Sequence, residues 1–282
     1  ITDAERDETG TTIILHLRKE AKEYLAQERI THLVKKYSDH IAQPIFFTGK
    51  KDGAEQLNTS AALWTRPAKD ISKDEYNSFY HGVASAYDTP FATLHNRTEG
   101  AVEFTNLLFI PSIAPFDLYD PERKSKLHLY VNRVFITDDY EGLVPKWLRF
   151  VRGIIDTPDV DLNVSREMLQ QNPAVAKINK ALVKRVLGEL KKALEKRRDE
   201  YATFWNGLGK VIKEGLYEDQ ANSERILEIC LFQSSQSEEL VTLQEYVDGF
   251  TENQEVIYYL SSEDADRARR SPHLESFQAK GI

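Results

Sequence analysis

At 282 residues, with 41% hydrophobic and 10% aromatic side chains, the chain exceeds a typical single core and is too apolar for a disordered polymer. Its net charge of −8 argues against general nucleic-acid or anionic-membrane binding, because counterion release needs a basic face. No apolar run approaches the roughly 20 residues of a membrane span, and a single cysteine, Cys230, fits a reducing cytoplasm.

Hydrophobic periods of two and of 3.6 alternate along the chain, which predicts an α/β fold rather than an all-helical or all-β one. Thr11 to Leu17 reads as a strand. Tyr24 to Tyr37 reads as a helix with Leu33, Val34 and Tyr37 facing inward, and Pro44 to Phe47 as a second strand, with a polar turn at Gly49 to Gly53. A helix from about Lys73 to Tyr87 follows the ALWTRP loop, and Glu103 to Ile110 and Leu127 to Ile136 alternate as half-buried strands. Leu143 to Val151 reads as a helix lying across them. Together these predict a large α/β subdomain over residues 1–160, with the Thr157-Pro158-Asp159 turn near its edge.

From Ser165 the pattern becomes helical. Pro173 ends one short helix, and Val175, Ile178, Leu182, Val183, Leu187, Leu190 and Leu194 then recur at threes and fours along a single stripe. Tyr201, Phe204, Trp205, Leu208, Val211 and Ile212 continue in a second helix, so residues 161–215 read as a small helical coil. A smaller α/β subdomain over 216–282 follows, with a helix from Ser223 to Phe232, a strand from Val256 to Leu260 and two short helices from Glu263 to Lys280. The expected architecture is two α/β sandwich subdomains joined by a helical coil.

Self-contained chemistry is missing. There is neither a G-x-x-x-x-G-K-[ST] nor a G-x-G-x-x-G loop to cradle phosphates; Gly207 and Gly209 sit in a helical context. The seven histidines lack the i, i+4 pairing or cysteine partners of a zinc site, so no metal is expected. Cys230 shares an apolar stripe with Ile226, Leu227 and Leu231, which suits a buried structural thiol rather than a nucleophile. The basic run from Lys180 to Arg198 reads as a solvated helix face. No secretory signal precedes the sequons at Asn58, Asn96 and Asn163, so they read as chance matches. The start at Ile1 without methionine and the stop at Gly281-Ile282 give the expectation of a piece cut from a longer protein.

One stretch, Trp147 to Pro173, departs from polarity rules. Ser165 is a good helix N-cap and Glu167 suits the first turn, which leaves Arg166 at the positive end of the helix dipole, where a cation is mildly unfavourable. Gln170 lies four residues on, on the same helical face. Spacing alone leaves two readings open: Arg166 pairs with a nearby acid such as Asp161, or it projects with Gln170 toward a partner.

The run LHLYVNRVFITDDYEGLVPKWLRFVRGIIDTPDVDLNVSREMLQQNP resembles the middle domain of the heat-shock protein 90 chaperones, closest to the bacterial HtpG type. KYSDHIAQPI, ALWTRP, HNRTEGAVEFTNLLFIPSIAPFDLYD and FWNGLGKVIKEG agree in the same order, so the resemblance covers almost the whole chain. It implies an ATP-driven chaperone that binds ATP with Mg in a separate N-terminal domain and dimerises through a C-terminal one. It further implies that Arg166 meets the γ-phosphate on docking and that Gln170 assists. By the same resemblance Phe135 lies at the interface with the N-terminal domain, while Trp205 and an exposed Trp64 contact unfolded clients. The isolated segment would then bind no cofactor and catalyse nothing alone. The competing expectation is a non-catalytic scaffold that spaces neighbouring domains.

Overall fold

The computed structural model describes residues 9–49, 53–120, 127–140, 142–161, 169, 172–252, 254–262 and 264–282. The chain divides into two compact units, residues 1–61 and 62–282. This division falls inside the stretch that the sequence presents as one subdomain.

In the first unit, residues 11–18 form no regular element. The strand expected over 11–17 is absent among the described residues, and Ile13, Ile14 and Leu15 stay exposed. A 3-10 turn, Lys19–Leu25, leads into helix α1, Gln27–Tyr37. Strand β1, Phe46–Thr48, pairs antiparallel with β2, Ala54–Gln56. Asn58 is buried beside them; its Oδ1 accepts from the Ile45 N–H at 2.7 Å and its Nδ2 donates to the Gln43 carbonyl at 3.0 Å. Both ends of the amide that a sequon would offer are therefore engaged.

The second unit is built on a five-stranded sheet. Its strands are β3 (Pro90–Thr98), β4 (Phe104–Pro111), β5 (Leu127–Val131), β6 (Val134–Thr137) and β7 (Arg152–Asp156), in the order β3-β4-β7-β5-β6. Strand β7 runs antiparallel to β4 and parallel to β5. Gly153, at φ +124°, makes the β4 contact possible, since a Cβ there would lie 2.1 Å from the Leu107 carbonyl oxygen. Two expectations fail here for local reasons. The single strand read over 127–136 is a hairpin, because Asn132 and Arg133 both take left-handed φ values of 50° and 67° and close a two-residue turn. The helix read over 143–151 shrinks to one 3-10 turn, Lys146–Leu148, because the chain straightens at once into β7. Strands β3 and β7 themselves escape the periodicity reading.

The pleat sends alternate side chains of β4 to opposite faces, so Leu107 and Phe109 join one core while Leu108 and Ile110 join another. On the first face lies α2 (Lys73–Ala84), started by a capping box between Ser72 and Glu75 and ended at Ser85, short of residue 87. On the second lie α3 (Pro173–Lys196) and α4 (Arg198–Glu218), the two long helices that the apolar stripe predicts. Asn172 caps α3, accepting from the Ala174 N–H at 2.8 Å, and Pro173 takes the first turn, where no N–H is needed. Trp147 is wholly buried against Gly215 of α4, where a Cβ would come within 2.7 Å of its ring. Its indole N–H has no hydrogen-bond acceptor among the described residues.

Past α4 the elements are short: α5 (Ser223–Leu227), α6 (Leu243–Asp248), α7 (Ala265–Arg269) and α8 (Glu275–Gln278). The helix read over 223–232 ends early, and Phe232 instead bridges to Val241. Residues 256–260 form no strand among the described residues and keep Tyr259 91% exposed. The molecule is a mixed α/β protein, with two sheets among the described residues, as its alternating periods predict.

Candidate functional site

Arg166 and Gln170 lie outside the described residues, but both approaches to them are fixed. Upstream, β7 ends at Asp156. Its Oδ2 accepts from the Trp64 indole N–H at 2.8 Å and its Oδ1 from the Arg133 N–H at 3.1 Å, so one carboxylate joins the ALWTRP loop, the β5–β6 turn and the end of β7. The Arg133 backbone, in its strained left-handed conformation, gains a charge-assisted bond there. Thr157 N–H donates to the Tyr130 carbonyl at 3.1 Å, and its hydroxyl donates to the Glu103 carbonyl at 2.7 Å. Asp159 accepts from the Glu103 N–H at 2.6 Å and donates its own N–H to the Thr157 hydroxyl oxygen at 3.1 Å. Downstream, Leu169 is 2% exposed within the core on the helical face, followed by the Asn172 cap of α3.

Phe135 and Trp64 belong to one aromatic group. The Trp64 ring packs 4.9 Å from Tyr130 and 6.0 Å from Phe79, and half-buried Phe135 meets Tyr130 edge-on at 5.6 Å and His128 at 5.7 Å. Phe135 sits on β6, an edge strand of the sheet. The expected exposure of Trp64 is corrected: it is only 1% exposed, because its ring fills the space between α2 and the sheet while its N–H is taken by Asp156. Trp205 is also buried, at 6%. It belongs to the core on the other face, stacks on Tyr201 at 6.1 Å and donates to the Leu231 carbonyl at 3.1 Å. Tyr201 donates to the Ile229 carbonyl at 2.7 Å, so these two aromatics suspend the 229–231 segment from α4. The two tryptophans are therefore not brought together.

Sequence reasoning assigned no role of their own to the apolar side chains that do face solvent. Ile113, Phe116 and Tyr119, in the loop after β4, are 67%, 102% and 58% exposed. The Pro-interrupted SIAPFDLY stretch fits neither a helical nor a strand period, which is the signal that could have found it. Asp88 pins the root of this loop, accepting from the Ser112 hydroxyl at 2.9 Å and the Ser112 N–H at 3.0 Å.

The strong electrostatic groups are structural. Arg149 forks onto Glu214 of α4 at 2.5 and 2.9 Å, and that hydrogen bonding holds the guanidinium further above its ordinary range. Arg185 of α3 bonds the Asn106 side chain and, at 2.5 Å, the Thr98 hydroxyl, over the Phe104 ring; its burial works against the charge. Burial pushes the Cys230 thiol up to about 12, in keeping with a structural residue. No His, Cys, Asp or Glu cluster that could hold a metal occurs among the described residues, and no helix among them is long and apolar enough to cross a membrane.

A five-stranded sheet with two long helices packed on one face makes this a mixed α/β domain. The family profile described as Hsp90 protein matches residues 47–282. Chaperone protein HtpG of Roseobacter denitrificans is 49% identical over 282 residues, covering 100% of this chain and 45% of that relative. HtpG of Rickettsia akari is 46% identical over 284 residues, covering 100% of this chain and 46% of its own length. Among solved structures, the middle domain of a Plasmodium falciparum heat shock protein matches with a TM-score of 0.67 and 32% identity, over 78% of this chain and 86% of that one. The chain belongs to the Hsp90 family, with its bacterial similarity to the HtpG type. It spans a little under half the length of the curated relatives it matches.

Proposed function

We propose that this chain is the middle segment of an ATP-dependent chaperone and supplies Arg166 to the γ-phosphate of Mg-ATP held by the N-terminal domain of a longer protein. The observation that carries this reading is the end-to-end similarity to HtpG chaperones of about twice its length. It agrees with the absence of any phosphate-cradling loop in the chain itself. The guanidinium fork neutralises charge spreading over the phosphoryl oxygens, Gln170 assists, and hydrolysis waits on docking. Phe135, half-buried on an edge strand, suits an interface with the N-terminal domain. Exposed Ile113, Phe116 and Tyr119 offer apolar surface to unfolded clients in a cytoplasmic homodimer.

The test is ATP turnover of the full-length protein with Arg166→Ala. The expected loss is about 10²- to 10³-fold with an unchanged melting temperature, while the 282-residue chain alone is inert. A variant that melts early yet turns over normally would establish the scaffold reading instead.

A further inference from the structure

We infer that Lys213 of α4 is a site of acylation by a small activated acyl donor of the acyl-phosphate class, an inference independent of the reading of Arg166. Trp205, Gly209 and Lys213 follow one another at intervals of four along the helix, so they share one face. Gly209 clears the way between the other two, since a Cβ there would lie 2.6 Å from the Trp205 ring. A helical side chain leans toward the N-terminal end of its helix, which carries Lys213 back across that gap. Its Nζ stands 5.6 Å from the centre of the Trp205 ring and 4.3 Å from that of Phe232, in the segment past α5.

Two aromatic faces attract a cation, but they do not replace the water that an ammonium's three donors would otherwise bind. Among the described residues Lys213 has neither a hydrogen-bond acceptor nor an ion pair. Its titratable neighbours within a turn of α4 are Lys210, Glu214 and Tyr217, and the one acid, Glu214, is committed to Arg149. Cys230, which acts on it from the facing segment, keeps its proton because burial pushes the thiol up to about 12. Burial accordingly draws the Lys213 amine below its ordinary range, the direction that raises the share of free amine near neutral pH. A lysine desolvated in this way is an activated nucleophile. Lys213 and Phe232 are nonetheless only half-buried, so the amine sits at the rim of the core rather than inside it. Exposed Lys210, one turn earlier, adds positive charge that draws an anionic donor.

In the reaction the ammonium first gives a proton to water. The freed lone pair of Nζ forms a C–N bond to the acyl carbon, the C–O bond to phosphate breaks, and phosphate leaves with that electron pair and takes up the surplus proton of the nitrogen. The neutral amide then lies over the same two rings without the cost of a desolvated charge.

The experiment treats the full-length protein with acetyl phosphate over a pH series and follows acetylation of Lys213 and Lys210 by peptide mass spectrometry, both in the folded protein and in urea. Near about pH 7.5 the folded protein is expected to acetylate Lys213 about three- to tenfold faster than Lys210, with a rate that levels off at lower pH. In urea the two rates should converge. Phe232→Glu, which sets a carboxylate beside the ammonium, should erase the advantage in a variant that still shows a cooperative melting transition. The assignment is overturned if folded Lys213 reacts no faster than Lys210, if its advantage survives in urea, or if folded Phe232→Glu leaves it intact. Should Phe232→Glu fail to fold, the wild-type rates with and without urea decide the matter.

Discussion

Trp64 and Trp205 belong to cores on opposite faces of one sheet, and their indole N–H groups end on different acceptors. Trp64 donates to the Asp156 carboxylate at 2.8 Å, Trp205 to the Leu231 peptide carbonyl at 3.1 Å. The first bond is charge-assisted, and it links side chains 92 positions apart in a group that also holds the β5–β6 turn. The second is a neutral bond to backbone, whose acceptor no substitution can remove. One face thus depends on the identity of a single acid, the other on the placement of a helix.

Removing rather than trimming the rings sets the upper limit of this contrast. Trp205→Ala empties a site that Tyr201, Phe204 and the 229–231 segment share, and should cost about 3–5 kcal/mol in urea unfolding. A loss below about 1 kcal/mol would mean that the site collapses or that the ring is not buried in solution. Trimming comes next. Trp64→Phe keeps a ring but leaves the buried side of Asp156 without its donor, at about 1–2 kcal/mol, and Trp205→Phe should cost less because a peptide carbonyl is the weaker orphan. The reverse order would break the comparison. The smallest effect is alkaline. Cys230 lies in the segment that Trp205 and Tyr201 suspend, and burial pushes its thiol from an ordinary 9.0 up to about 12. Its folded-state value is raised, so its contribution is fully present below the unfolded value and is lost as pH rises through the folded one. About 1 kcal/mol should disappear by about pH 10, and Cys230→Ala should flatten that decline in pH-dependent melting.

The long helices were legible because their burial is one-sided: Val175 to Leu194 and Tyr201 to Ile212 carry their apolar residues on one stripe against one face of the sheet. The sheet was less legible because its middle strands are buried on both sides. The GII of β7 shows no alternation, and the run before it, with Trp147 and Leu148 three and four residues past Val144, imitates a helical stripe. The β5–β6 hairpin was hidden because its turn uses Asn132-Arg133 where Asn-Gly is the usual signal; the Asp156 side chain that supports Arg133 comes from a distant strand. For the site, Arg166 and Gln170 stood out only as a cation and an amide at a helix start, and their roles came from family resemblance. Trp64 and Trp205 were read as client-facing, yet an indole looks the same in sequence whether its N–H meets water, Asp156 or Leu231.

Trp147 extends the series to a third case, with an indole N–H that bonds to nothing among the described residues. An indole in such a dry site cannot relax its excited-state dipole by reorienting nearby donors and acceptors, whereas one facing a carboxylate can. The three rings therefore make an intrinsic optical set: Trp147 at the blue edge of the emission reports the crossover between β6 and β7, Trp64 on the red side reports the Asp156 junction, and Trp205 between them reports the helical face. A change of packing at any one of these places can be read from the native fluorescence, with no label attached.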